Sequence, residues 1–176
     1  LDPLSNLKEL RWLDLSHNQL ENLKPLAGLR KLENLVLYQN KIIDLKPLTL
    51  LANLRELNLQ NNQIDDLKPL AALTHLRELH LNNNKITDLK PLAGLKHLKT
   101  LYLFGNQITD LTPLTGLTQL KEVALINNPN LNFPEIIKLQ KALPRSNIQH
   151  NTTRTQIQFI NKTKGPIAVR WVNFAG

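Results

Sequence analysis

Residues 76–97, LRELHLNNNKITDLKPLAGLKH, form a unit that is repeated over most of the chain, and this repetition specifies the architecture. A fixed period of about 20 to 50 residues is the signature of a solenoid, in which each unit contacts only its neighbours. No single unit can bury its own leucines, so the units must stack. The first leucines of successive units, spaced 22 residues apart, are Leu10, Leu32, Leu54, Leu76, Leu98 and Leu120.

The first half of the unit predicts a short strand. Leu79 and Leu81 alternate with Glu78 and His80, so the two leucines face the core and the polar residues face away. Asn84 follows, and asparagine fills the same slot in the sister units. Because an unpaired buried amide costs about 1 to 3 kcal/mol, we expect these asparagines to form a ladder that bonds one backbone turn to the next.

The second half of the unit predicts a return along the opposite side. Ile86, Leu89, Leu92 and Leu95 are three residues apart, a spacing that suits a 3₁₀ or irregular turn better than an α-helix. Pro91, with its fixed φ, suits the first position of that turn. The sequence therefore predicts an α/β solenoid with a parallel sheet of about six strands on the concave face and short 3₁₀ or irregular turns on the convex face.

The pattern L-x-x-L-x-L-x-x-N-x-I-x-x-L-x-P-L-x-x-L resembles the leucine-rich repeat, in the short 22-residue class found in bacterial internalins and in a eukaryotic phosphatase regulatory subunit. The resemblance covers residues 1–143: a partial repeat, five full repeats and a degenerate closing repeat from Leu120. In that last repeat, PEIIKLQKALP (134–144) has helical spacing and predicts a closing helical turn. A solenoid needs such an atypical repeat where its stack ends.

The net charge of +8 is unevenly distributed. Residues 1–122 carry 15 Lys or Arg against 13 Asp or Glu, whereas residues 123–176 carry 7 against 1. The repeats are nearly neutral, with interleaved lysine and aspartate columns typical of a solvated surface. The basic excess after residue 122 could favour an acidic partner or nucleic acid. This segment lacks the dense basic cluster and interleaved aromatics of a dedicated nucleic-acid module, so we do not expect nucleic acid to be the partner.

The composition also bears on compartment and membrane. The chain has no cysteine, so it forms neither a disulfide nor a thiolate metal site, and both the cytoplasm and a bacterial cell surface remain open. No apolar run approaches the roughly 18 residues of a membrane-spanning helix. No signal peptide is recognisable, but the chain begins inside a repeat, so we expect the natural start upstream of Leu1.

The strand positions that face away from the core carry every aromatic residue before residue 130. Exposed aromatic rings are enriched at binding hot spots, although pairing across a sheet also rewards aromatic and β-branched side chains. Binding is favoured because Tyr102, Phe104 and Ile126 adjoin in neighbouring strands. The predicted partner-binding residues are Trp12, Val36, Tyr38, His80, Tyr102, Phe104 and Ile126, together with Trp171 of the C-terminal segment.

No residue pattern of an enzyme stands out. Asp14, Ser16 and His17 are the residue types of a hydrolytic triad, yet successive strand positions point alternately, so His17 need not meet Ser16. His75 and His97 lie in a variable column without a carboxylate neighbour, which is a poor metal site. The sequence therefore predicts no catalytic residue, metal, cofactor or small-molecule substrate.

The C-terminal part departs from the repeats. Residues 144–154 are polar and predict a linker, with room for one short strand at Ile148. Residues 155–176 contain two alternating apolar segments joined by Lys-Gly-Pro at 164–166, which predicts a partial β module in the form of a hairpin.

The hairpin carries a second resemblance. The spacing I-x-F-x-N-x-T followed by V-x-W-x-N-F-x-G resembles the opening of the von Hippel-Lindau β domain. That resemblance implies a module that recognises hydroxylated proline in peptides, with Trp171 in the position of the family's pocket tryptophan. The other pocket residues would lie beyond Gly176.

These observations predict a protein-interaction scaffold that binds a protein or peptide on its concave sheet. Two rival readings remain. In one, the chain is a substrate adaptor whose von Hippel-Lindau-like module reads a second peptide. In the other, it is a bacterial surface adhesin of the internalin kind.

Overall fold

The protein's structure is a computed structural model that describes residues 2–151. Its centre is one parallel sheet of seven three-residue strands, which pair in chain order. Residues 22 apart lie side by side in the sheet, as Leu57 and Leu79 do. The strands are β1 (Trp12–Asp14), β2 (Asn34–Val36), β3 (Glu56–Asn58), β4 (Glu78–His80), β5 (Thr100–Tyr102), β6 (Glu122–Ala124) and β7 (Asn147–Gln149).

Short helices return the chain behind the sheet, as the spacing of three predicts. Six of those described are 3₁₀ helices, at Asp2–Asn6, Lys24–Leu26, Lys46–Leu50, Lys68–Ala72, Lys90–Leu92 and Thr112–Leu114. A proline stands in the first turn of each of the last five. The predicted leucine-rich-repeat solenoid, with its sheet on one face and 3₁₀ turns on the other, is therefore confirmed.

The leucine core lies between the sheet and the 3₁₀ turns. Leu79 and Leu81 of the strand side are completely buried. On the return side, Leu89 and Leu92 expose at most 1% of their surface. One continuous cluster of buried residues runs from Leu23 to Ile148, so the core crosses every repeat boundary. Each unit thus completes its burial with its neighbours' leucines.

The predicted asparagine ladder is present. Asn84 is 8% exposed, and its Nδ2 donates to the carbonyl oxygens of Leu59 and Leu81 at 3.0 Å each. Its Oδ1 accepts the backbone N–H of Ile64 at 3.0 Å. One side chain therefore ties its own turn to two points of the preceding repeat, and it leaves none of these buried groups unpaired.

The aspartate column of the convex face has a role that its charge pattern did not indicate. The Asp66 carboxylate accepts the backbone N–H of Lys68 at 2.9 Å, and Asp44 and Asp88 do the same two residues before their own lysines. These bonds satisfy a free N–H at the start of each 3₁₀ turn. The aspartates thus form hydrogen bonds to the backbone. Within residues 2–151, no ion pair joins them to the neighbouring lysines.

The C-terminal end of the stack is covered by helix α1 (Phe133–Ala142), at the position of the predicted closing turn. Asn132 caps it by accepting the backbone N–H of Glu135 at 3.1 Å. The Glu135 carboxylate in turn accepts the N–H of Leu111 at 2.9 Å, which ties the helix to the preceding repeat.

The polar segment 144–154, predicted as a linker with room for one strand, supplies β7 to the solenoid sheet. Ile148 is 8% exposed and pairs in register with Val123. The Ser146 hydroxyl donates to the Leu120 carbonyl oxygen at 2.6 Å, and this bond ties the start of β7 to the segment before β6. A strand with a single apolar side chain gives almost no periodic signal, and only the neighbouring strand makes it form. The predicted hairpin at 155–176 lies outside the described residues.

Candidate functional site

The outward side chains of the strands form columns along the concave face. The first column holds carboxylates on three strands, Glu56, Glu78 and Glu122, with Thr100 on the strand between the last two. Two further columns follow along the strand direction. Their members over β3 to β6 are Asn58, His80, Tyr102 and Ala124, and then Gln60, Asn82, Phe104 and Ile126.

Four predicted site residues come together over β4 to β6, and we call them the anchor patch: His80, Tyr102, Phe104 and Ile126. The His80 and Tyr102 rings meet edge to face, with centroids 4.8 Å apart and planes at 81°. The N–H of Gly105 donates to the Ile126 carbonyl oxygen at 3.0 Å, which aligns Phe104 with Ile126 on the next strand. All four side chains are half-buried, so each still offers part of its surface to a partner.

Polar neighbours hold the anchor patch in position. The Tyr102 hydroxyl donates to the Glu122 carboxylate at 2.9 Å. The Phe104 N–H donates to Oδ1 of Asn82 at 2.9 Å, one strand back. These bonds fix Tyr102 and the backbone of Phe104 before a partner arrives, which lowers the entropy lost on binding.

Burial and the carboxylates set the electrostatics of the patch. Burial lowers the pKa of His80, and the carboxylates of Glu78, Glu56 and Glu122 oppose part of that shift. Burial also raises the pKa of Tyr102, and the hydrogen bond to Glu122 raises it further. A neutral imidazole and a neutral phenol therefore form the centre of the patch at neutral pH, beside a negatively charged column.

A ridge of residues with positive φ borders the patch where the strands end. Its members are His17, Gln39, Asn61, Asn83, Gly105 and Asn127, with φ between 53° and 66°. The amide of Asn83 donates to Asn61 at 2.7 Å, and the amide of Asn151 donates to Asn127 at the same distance. Gly105 has no side chain, so the ridge is interrupted directly after Phe104. A Cβ there would come within 2.3 Å of Asn83 Oδ1.

The remaining predicted site residues do not join the anchor patch. Trp12 lies on β1 at the other end of the sheet and is 59% exposed. Val36 and Tyr38 lie on and just after β2, separated from the patch by the polar strand β3. Trp171 falls outside the described residues.

Three side chains that shape these surfaces were not among the predicted site residues. Glu122 and Asn82 hold Tyr102 and Phe104, and His17 packs edge to face on Tyr38 with centroids 4.8 Å apart. Each lies 20 to 22 residues from its partner, one repeat away. The repeat period was therefore a usable signal, because it places such residues on neighbouring strands.

The three residues with the types of a hydrolytic triad make other contacts. The Asp14 carboxylate accepts the backbone N–H of Ser16 at 2.8 Å, and hydrogen bonds from Ser16 hold the pKa of Asp14 below its usual value. The His17 ring turns to Tyr38. Within residues 2–151, no three histidine, aspartate or glutamate side chains gather as they would around a metal ion. No helix of this part is long and apolar enough to cross a bilayer.

A family model described as leucine-rich repeats matches residues 2–50, 52–94 and 96–138, which together make up most of the sequence. The chain belongs to the leucine-rich repeat family. Among solved structures, this leucine-rich repeat protein is similar to internalin C2 of Listeria monocytogenes, with 37% identity and a TM-score of 0.79 over 86% of this chain and 66% of the internalin. No curated protein matches its sequence.

Two further solved structures agree. Internalin F of Listeria monocytogenes is 34% identical with a TM-score of 0.78 over 89% of this chain and 47% of the internalin. A leucine-rich repeat protein of Leptospira interrogans is 36% identical with a TM-score of 0.78, over 83% of this chain and 38% of its own. The chain thus spans less than two thirds of the length of these proteins.

The comparisons place the leucine-rich repeat protein in the internalin-like class, whose fold is that of a protein-interaction scaffold, typically without enzymatic activity. None of them supports a von Hippel-Lindau-like module at the C-terminus.

Proposed function

We propose that this leucine-rich repeat protein binds a protein or peptide partner on its concave sheet, with the anchor patch as the centre of the interface. The observation that carries the proposal is the alignment of Tyr102 on β5 with Phe104 and Ile126 just after β5 and β6, all half-buried and next to His80. Clustered aromatic side chains held in a fixed geometry are typical of binding hot spots. Trp12, Val36 and Tyr38 form a second, outlying contact region of the same face.

The arrangement supports a preformed surface. Glu122 holds the Tyr102 hydroxyl and Asn82 holds the backbone of Phe104, so a partner meets a Tyr102 ring and a Phe104 backbone that are already in position. The core beneath them is the completely buried row that includes Leu101 and Leu103. A change in the anchor patch should therefore affect binding far more than folding.

The test uses a random dodecapeptide display library selected on the whole chain. Selected peptides are synthesised and their affinities measured by fluorescence anisotropy. Phe104→Ala should weaken binding by about 2 kcal/mol or more, as expected for a hot spot. Lys68→Ala on the convex face is the matched control and should leave the affinity unchanged. Peptides that respond to Lys68→Ala and ignore Phe104→Ala would place the site on the other face and overturn the proposal.

Of the two rival readings, similarity to two internalins favours a surface adhesin. Antibodies against the repeats should then label intact cells of the source organism, and beads coated with the chain should adhere to partner cells less well when Phe104 is replaced by alanine. The adaptor reading rests on the C-terminal resemblance alone. Labelling only after the cells are opened would contradict the adhesin reading.

A further inference from the structure

The anchor patch has a negatively charged border that the apolar contacts do not explain. Glu78, Thr100 and Glu122 lie in register on β4, β5 and β6. Neighbouring strands are about 4.8 Å apart, so the two glutamates flank the short Thr100 side chain from both sides. Glu56 continues the column on β3, directly beside Glu78.

These carboxylates have no cation of their own within residues 2–151. The Glu78 carboxylate takes part in no ion pair or hydrogen bond there, and the Glu56 carboxylate accepts a hydrogen bond only from the Asn34 amide. The nearby Arg55 pairs with Glu33 at 3.4 Å instead. Like charges on directly paired strand positions destabilise a sheet, so the free protein carries an unrelieved repulsion between Glu56 and Glu78.

The basic residues next to this column do not relieve the repulsion. Arg77, Lys99 and Lys121 each come immediately before the glutamate or threonine position and are exposed. Within residues 2–151, none of the three forms an ion pair with a glutamate of this column. The outward strand positions over β3 to β6 hold three carboxylates and no lysine or arginine, so this part of the concave face is negatively charged beside His80 and Tyr102.

The features over β5 define one path across the sheet. It begins over Thr100 between two carboxylates, crosses the rings of Tyr102 and Phe104, and leaves over Gly105, where the ridge has no side chain. An extended peptide advances about 3.3 Å per residue, as the strand below it does. A residue over Thr100 is therefore two to four peptide positions from the residue seated on Tyr102 or Phe104.

We propose that the partner segment is a basic extended peptide that follows this path, with an aromatic or aliphatic side chain on the anchor patch and a lysine or arginine between Glu78 and Glu122. The inference rests on the proposed function and adds the partner's chemistry. The lysine or arginine of the peptide provides a counter-ion for the glutamate column, and Phe104 and Ile126 supply the apolar contact. The bare ridge position at Gly105 lets the peptide leave the face.

The peptides selected on the whole chain test the inference directly. Those whose binding depends on Phe104 should be enriched in lysine or arginine two to four positions from an apolar residue. Their binding should weaken as salt is added, because exposed charges are screened. Phe104-dependent peptides that are neutral or acidic would overturn the inference and leave the proposed function standing. A failure to find any Phe104-dependent peptide would contradict both.

Two variants measure the charge contribution on one synthetic peptide from that selection. Glu78→Gln should weaken a lysine-bearing peptide by roughly two- to fivefold and should leave the same peptide with glutamine in place of lysine unaffected. Thr100→Lys, which places a cation in the gap, should remove the preference for lysine altogether. Asp65→Asn is the matched control, because Asp65 is an exposed carboxylate of the preceding repeat that lies outside the sheet. This variant should bind both peptides with unchanged affinity. Equal affinity of Glu78→Gln and the unchanged protein for the lysine peptide would overturn the proposal.

Discussion

An interior asparagine of the ladder bonds the backbone of two repeats at once, so a single side chain contributes to the stability of both. Asn84 is the partner of the Ile64 N–H, and it shares the carbonyl oxygens of Leu59 and Leu81 with the asparagines of the neighbouring repeats. By contrast, Asn18 at the first repeat is exposed and donates only to the carbonyl oxygens of Leu15 and Ser16. The same residue type in the same slot therefore has a different energetic role at the end of the stack.

Replacing Asn84 by alanine should lower the free energy of unfolding by about 1 to 3 kcal/mol, because the buried N–H of Ile64 loses its partner and two buried carbonyl oxygens each lose one of their hydrogen bonds. Urea denaturation followed by circular dichroism measures the change. Asn18→Ala is the control and should cost less than about 1 kcal/mol, since water can replace its bonds. Equal losses for the two variants would show that the bonds to the preceding repeat contribute nothing.

His80 should make stability depend on pH. Because burial lowers its pKa in the folded protein, the unfolded chain takes up a proton at higher pH than the folded one does. The contribution of His80 to stability is therefore fully present above the ordinary histidine pKa of about 6.5. It is lost as the pH drops below that value, until His80 is protonated in the folded protein as well. His80→Asn should reduce this loss between pH 7.5 and pH 5 in thermal melts, whereas substitution of the exposed His97 by asparagine should not. An unchanged pH profile in His80→Asn would refute the assignment.

Among the secondary-structure elements, each short strand is stabilised by the strands that pair with it. A three-residue strand such as β4 is far too short to persist alone, but its outward and inward residues are held by β3 and β5 on either side. The inward Leu79 is completely buried, while Leu13 in the same slot of β1 is only partly buried because no strand precedes β1 among the described residues. Burial in each slot thus depends on having a neighbour on both sides.

Leu79→Ala should cost about 2 to 5 kcal/mol of unfolding free energy, as for other buried leucines whose loss leaves a cavity. Leu13→Ala should cost clearly less, since part of that side chain already meets solvent. Guanidinium denaturation of both variants measures the difference. An unmoved midpoint for Leu79→Ala would contradict the continuous core.

At the scale of the whole molecule, the two ends of the stack differ. Helix α1 and β7 cover the C-terminal end, and residues such as Leu139 and Leu143 fill the space beneath them. At the other end, β1 is the edge strand of the described sheet, and Leu10, Leu13 and Leu15 remain only partly buried. In a one-dimensional stack, local opening begins where the fewest contacts must break.

Hydrogen exchange followed by mass spectrometry should therefore show a gradient along the chain. Amides of β1 and the strand end that follows it should exchange well before those of β4 and β5, and β6 should stay protected because β7 and α1 cover it. Uniform exchange of all strands would indicate that the chain opens only as a single unit. Faster exchange at β6 than at β1 would show that α1 does not seal the stack.

The repeat, the strand and turn positions, the buried leucines and the asparagine ladder could all be predicted from the amino-acid sequence. The physical reason is that each repeat has nearly the same neighbours, so a local pattern such as Leu79, Leu81 and Asn84 already specifies its tertiary surroundings. The sequence also identified the exposed aromatic positions, because alternation along a strand decides which side chains leave the core.

The contacts between side chains of different repeats could not be predicted in this way and became visible in the folded chain. The bond from Tyr102 to Glu122, the packing of His17 on Tyr38 and the formation of β7 all depend on orientations across strands that carry no periodic signal. The same holds for the glutamates beside Thr100, which form no ion pair within residues 2–151, since an ion pair depends on how neighbouring side chains are oriented. Core positions repeat and can be read from the period, whereas surface contacts differ from repeat to repeat and form only when the strands stand side by side.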